Sequence, residues 1–207
     1  VKLSYDEGET WAVSRSVEAF NLEVEHQPRA KVSFLPNSVD PAEFQPATAA
    51  ARRAARERFG LPMDAFLIGG VGRLTPQKNF GLLLEAAQPL LGSDVQLALF
   101  GSGSEEAELR QHAGAHVHFM GTVAERAAIY QALDALVLPS RFEGLPMVVL
   151  EAMACNVPVL ASAVDGVREI ATDGIHALLA PPEDAEAFRA ALKRLLADAG
   201  LRAQLTS

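Results

Sequence analysis

The chain has 207 residues, 49% of them hydrophobic, with a formal charge of −8 and a single cysteine. That length can bury a sizeable core as one domain, and the negative charge argues against nucleic acid or an anionic membrane as a partner. Cys155 can form no internal disulfide, which fits a reducing compartment.

Taken in order, residues 1–30 are polar and irregular, with a helix expected over Ala12–Leu22. Asn37–Ala47, with two prolines, reads as a linker. From about residue 31 short apolar runs alternate with helical segments. Strands are predicted at Lys31–Leu35, Phe66–Val71, Val95–Phe100, His116–Met120, Ala135–Leu138, Val157–Ala161 and His176–Leu179. Helices are predicted at Ala49–Phe59, Pro76–Leu91, Ser104–His112, Ala124–Ala132, Pro146–Ala154, Val167–Ala171 and Asp184–Ala197. Near-continuous apolar strands separated by helices mean βαβ units in a parallel, doubly wound α/β sheet. No run reaches the ~18 apolar residues of a membrane span, and no secretory signal is visible. Beginning at Val1 without methionine, the chain reads as a piece of something longer.

In such sheets ligands bind beyond the carboxyl ends of the strands. Five suggestive loops follow predicted strands there: Gly72–Lys78, Gly101–Ser104, Gly121–Val123, Pro139–Glu143 and Ser162–Arg168. In the most informative, Arg141-Phe142-Glu143-Gly144-Leu145-Pro146 opens a helix that carries Glu151. Gly144 lets a ligand approach the backbone, and Pro146 fits the first helical position. The following N–H groups favour an anion. At ~1.5 Å per helical residue the two carboxylates stand about 10 Å apart, too far for a glycosidase pair within ~9.5 Å. The spacing suits a long ligand with hydroxyls at both ends and an anion between them, as in a nucleotide-diphosphate sugar.

In the loop after Val71, Thr75 reads as an N-cap with Pro76 at the first helical position. Lys78 then falls in the first turn, where the helix dipole disfavours a cation unless an anion is near. Arg73 offers a second, bidentate clamp. Gly101-Ser102-Gly103 lacks the third glycine of a dinucleotide fingerprint, since Glu106 stands there, and it reads as a tight turn beside a ligand. A dinucleotide-dependent oxidoreductase is therefore disfavoured, and no P-loop or G-x-S-x-G elbow is present. His112, His116 and His118 lack a further ligand for zinc. With no D-x-D pair for a diphosphate-bound metal, the cations must come from Arg73 and Lys78.

This ordered set resembles the donor-binding half of the group 1, or family 4, retaining glycosyltransferases. The similarity runs over about residues 13–205. Val13-Ser14-Arg15-Ser16-Val17 is similar to the end of the family's amino-terminal domain, and Leu35-Pro36-Asn37-Ser38-Val39-Asp40 to the entry of the carboxyl-terminal one. Val71-Gly72-Arg73-Leu74 with Lys78, Leu99–Gly103, Val117–Gly121 and Leu138–Pro146 through Glu151 follow in the family's order.

The resemblance implies half of a two-domain GT-B architecture: residues 1–30 the tail of an acceptor domain, residues 31–207 a Rossmann-like nucleotide-sugar domain. It implies a UDP- or GDP-linked sugar as substrate, no metal or other cofactor, and transfer with retention in polysaccharide or glycolipid synthesis. Arg73 and Lys78 would neutralise the diphosphate, and Glu143 would hold sugar hydroxyls with the backbone at Gly144 and Leu145. Glu151 would accept from the ribose, Val123 would lie near the base, and Gly72, Gly101 and Gly103 would line the donor. The acceptor, a sugar or lipid-linked sugar, would sit on the other domain, with no membrane contact from this one. The parent is expected in the cytoplasm, peripheral to the membrane at most, and this piece alone transfers nothing. The alternatives are a nucleotide-sugar epimerase or hydrolase of the same fold, and a non-catalytic binding module.

Overall fold

A computed structural model describes residues 3–5 and 9–207. Two sheets are formed. The smaller consists of β1 (Leu3–Tyr5), β2 (Glu9–Ala12) and β3 (Val32–Phe34), with β2 antiparallel to β1 and parallel to β3. Between β2 and β3 runs α1 (Arg15–Glu23), started by Ser14, whose hydroxyl accepts from the Val17 amide at 3.1 Å. After the linker comes α2 (Ala49–Phe59). Thr48 caps its start, and Gly60 ends it in the left-handed conformation with φ +63°.

The larger sheet holds β4 (Phe66–Val71), β5 (Val95–Phe100), β6 (Val117–Gly121), β7 (Ala135–Leu138), β8 (Val159–Ser162) and β9 (Leu178–Ala180). Their order is β6-β5-β4-β7-β8-β9, and every pairing is parallel. The connecting helices are α3 (Phe80–Ala87), α4 (Glu106–His112), α5 (Arg126–Ala132), α6 (Met147–Ala154), α7 (Asp165–Arg168) and α8 (Ala185–Ala197), followed by α9 (Ala199–Leu205). Successive residues of β4 feed opposite faces. Leu67 and Val71 pack with Tyr130 and Val149, whereas Ile68 packs with Leu83, Phe188 and Leu192. Helices on both faces explain the unbroken apolar strands: all four residues of β7 and of β8 are buried.

The chain leaves the sheet centre in opposite directions after β4 and β7, which pair at Ile68–Ala135 and Gly69–Leu136. The crevice of a doubly wound sheet opens at that switch point. It sets the loop carrying Lys78 beside the loop carrying Glu143.

Several expected elements are corrected. The strand expected at Lys31–Leu35 forms in the small sheet, paired to β2, and not in the large one. The helix expected from Pro76 starts four residues later, at Phe80, behind Asn79 in the left-handed region (φ +54°). Residues 75–79 instead close a turn, with the Lys78 and Asn79 amides both donating to the Thr75 carbonyl. Thr75 is no cap, and its buried hydroxyl has no partner. Pro146 sits at the N-cap of α6 with extended backbone, one position before the first helical residue. β1, β2 and α9 have no counterpart among the predicted elements: they are short, and periodicity over three to seven residues carries little signal.

Candidate functional site

The loops after β4 and β7 are stitched together across the switch point. The Arg141 amide donates to the Gln77 carbonyl at 2.9 Å, and the Gln77 side-chain amide returns a bond to the Phe142 carbonyl at 3.1 Å. The Arg141 guanidinium donates to the Pro76 carbonyl and pairs with Glu183 at 2.9 Å. At the centre Lys78 Nζ lies 2.6 Å from Glu143 Oε1, with side-chain exposures of 14% and 7%. Lys78 is therefore not in a helical first turn, and its neighbouring anion is Glu143. From the linker, Asn37 donates to the Leu145 carbonyl at 2.9 Å and fixes the chain entering α6.

Arg73 lies in the same loop as Lys78 but behaves differently. It is exposed and has no ion pair among the described residues. One cation of the site is thus already neutralised and the other is not. An anion arriving here meets Arg73 uncompensated, and Lys78 with two of its three N–H donors still available.

Glu151, on the first turns of α6, has no exposure at all. One carboxylate oxygen accepts from the Tyr130 hydroxyl at 2.5 Å, and the other is paired with Arg126, the first residue of α5. Burial, followed by the adjacent carboxylate, pushes the Tyr130 phenol far above its ordinary range, so it is always a donor to Glu151. The half-buried Val123 lies in the β6–α5 connection, three residues before Arg126. Sequence reasoning named Glu151 and Val123 as candidates and did not name Arg126 or Tyr130. The (i, i+4) spacing of Arg126 and Tyr130 on one helix face is the signal the sequence offers.

The glycines of the β5 loop answer first to packing. A Cβ on Gly101 would lie 1.9 Å from the Gly72 carbonyl oxygen, and one on Gly103 would lie 2.2 Å from that of Leu74. The loops after β4 and β5 touch backbone to backbone, joined by the Leu74 amide donating to the Ser102 carbonyl at 2.9 Å. Gly144 faces Val13 and Val17 on the other side, so α1 closes over the Glu143 loop. That helix is held by Glu169, whose carboxylate accepts the Arg15 and Ser16 amides at 2.7 and 2.8 Å. Burial alone would raise the Glu169 carboxyl, but those two N–H donors outweigh it and hold the group below its ordinary value. Between α1 and the Glu143 loop lies a cleft of about 720 Å³, walled by Phe20, Asn21, Glu143, Gly144 and Asp165.

Other candidates fall away from this edge. His118 bonds Gln96 at 2.6 Å, and burial, followed by neighbouring His116, lowers its pKa. The described residues contain no cluster of His, Cys, Asp or Glu suited to a metal ion. Cys155 is buried, and desolvation followed by Glu151 pushes its thiol to about 11, which suits a structural residue and not a nucleophile.

The family described as "Glycosyl transferases group 1" matches residues 65–198, which span the large sheet from β4 to the end of α8. The chain belongs to the group 1 glycosyltransferases. Among curated group 1 relatives, the D-inositol 3-phosphate glycosyltransferase of Xylanimonas cellulosilytica is 33% identical over 192 residues, covering 86% of this chain and 46% of that protein. The enzyme of the same name from Salinispora tropica is 35% identical over 196 residues, covering 84% and 41%. The chain therefore spans a little under half the length of these relatives. Among solved structures, Anabaena HepE in complex with UDP-glucose superposes with a TM-score of 0.87 at 21% identity, covering 97% of this chain and 57% of that one. Sucrose-phosphate synthase from Thermosynechococcus elongatus superposes at 0.80 with 29% identity, covering 95% and 51%. The fold is that of one half of a GT-B glycosyltransferase, with the α/β doubly wound sheet expected from the strand–helix alternation.

Proposed function

We propose that this group 1 domain binds the nucleotide-diphosphate sugar of a retaining glycosyl transfer, with the acceptor held by a further domain of the parent. The observation that carries this reading is the Lys78–Glu143 pair at the switch point, with the exposed Arg73 in the same loop as Lys78 and Glu143 four residues before α6. Arg73, Lys78 and the first free amides of α6 take the diphosphate and the charge that develops on it as the sugar leaves. Glu143, oriented by Lys78, accepts sugar hydroxyls together with backbone contacts at Gly144 and Leu145. Glu151 accepts from the ribose, Val123 borders the base, and Gly72, Gly101 and Gly103 line the phosphates through the close-packed backbone of the β4 and β5 loops. Metal ions have no part in this scheme. Residues 1–30 are then the tail of the acceptor domain, and the chain by itself turns over no acceptor. The UDP-glucose complex of HepE supports a uridine donor as the first to try.

A thermal-shift panel of UDP, GDP and their glucose and mannose esters tests this. Even a millimolar binder shifts the transition at high concentration, by RT ln(1 + [L]/Kd). The expected result is a shift with one base family that is lost in Lys78→Ala and Arg73→Ala. Equal shifts in wild type and both variants would remove these residues from the site.

A further inference from the structure

Two side chains cover the Glu151 carboxylate among the described residues: Tyr130 from within and Arg126 from the solvent side. The Glu151 side chain has no exposure, and one oxygen is held from within by Tyr130. Tyr130 cannot step aside: it is 1% exposed, and its ring stands edge-on to Phe44 at 6.0 Å. The other oxygen is covered by the Arg126 guanidinium, whose side chain is 48% exposed and has no other partner among the described residues. Of the two side chains bonded to Glu151, Arg126 is the one that reaches solvent and can move aside. A ribose that donates hydroxyls to this carboxylate must take the place the guanidinium occupies.

We propose that Arg126 gates the ribose subsite. Its N–H occupies the place of a ribose hydroxyl on Glu151, and the nucleotide exchanges one donor for the other. This rests on the donor-site reading above. Exchange swaps an ion pair for hydrogen bonds from neutral hydroxyls to the same carboxylate. A vicinal diol suits it because two hydroxyls can satisfy the carboxylate that loses its cation, while the released guanidinium regains water. Arg126 therefore lowers the affinity for the nucleoside part and leaves the diphosphate part alone.

Calorimetry with UDP and with inorganic pyrophosphate, on wild type and Arg126→Ala, separates the two parts. Removing the competing bond should tighten UDP by roughly 3- to 10-fold, with pyrophosphate unchanged. In the wild-type chain labelled with ¹⁵N-arginine, UDP but not pyrophosphate should release the Arg126 guanidinium signal from its bonded state. This second readout decides the matter even if the variant folds poorly. UDP binding that is weaker or unaltered in Arg126→Ala, or a guanidinium that stays bonded at saturating UDP, overturns the gate while leaving the donor site standing. Pyrophosphate and UDP both failing to bind the wild type sinks the donor site and the gate together.

Discussion

Lys78→Met tests whether the central ion pair is built into the fold. At the 2.6 Å separation of Lys78 and Glu143, and with an effective dielectric of ~20, the gross attraction is ~6 kcal/mol. Desolvation of both groups offsets most of it, so the pair adds little net stability. Removing one partner is different, because Glu143 keeps its burial and loses its cation. Such losses run ~3–5 kcal/mol. The residual exposure of both side chains, 14% and 7%, argues for the lower end. At ~2–4 °C per kcal/mol for a chain of this size, ~3 kcal/mol is a fall of ~6–12 °C in Tm. Glu143→Gln leaves an ammonium that can turn to water and should cost ~1–2 kcal/mol. The double variant Lys78→Met/Glu143→Gln should lie well above the sum of the singles, with a coupling of ~2 kcal/mol. Urea and thermal denaturation followed by circular dichroism read all four corners. Lys78→Met melting within ~2 °C of wild type would show that Glu143 is not held by Lys78, and the site would lose its centre.

Two further outcomes follow from the loops around that pair. Gly103→Ala would drive a methyl into the Leu74 backbone at 2.2 Å and should cost ~1–3 kcal/mol of overpacking. Gly81→Ala, in α3 with open space around it, should be neutral or stabilise by up to ~1 kcal/mol. Thermal melts that rank the two the other way would contradict the backbone contact between the β4 and β5 loops.

A last prediction concerns the docking of α1. Because the Glu169 carboxyl is held below its usual 4.5 in the folded chain, its hold on α1 is intact above that value and fades as acid titrates it. The Arg15 and Ser16 amide resonances should shift with a midpoint below pH 4.5, and Glu169→Gln should abolish the titration. A midpoint at or above 4.5 would mean that those amides do not bond Glu169.

The sequence alone determined much of the fold. Apolar runs of four to six residues separated by helices could only be a parallel sheet covered on both faces, and such sheets bind ligands at one edge. It also singled out Arg73, Lys78, Glu143 and Glu151 as candidates, since charged side chains beside or within apolar runs call for a partner. What it could not supply was pairing between segments remote along the chain. Lys78 and Glu143 are 65 residues apart, and their contact depends on β4 and β7 being neighbours at the switch point. The turn at residues 75–79 overrode good helix-start residues because the Thr75 carbonyl bonds and left-handed Asn79 redirect the chain there. The partners of Arg126, Tyr130 and Glu169 are hidden for the same reason, although the (i, i+4) spacing of the first two is legible. Their meaning lies in a partner's burial and distance, which side-chain chemistry along a line does not encode and three-dimensional packing does.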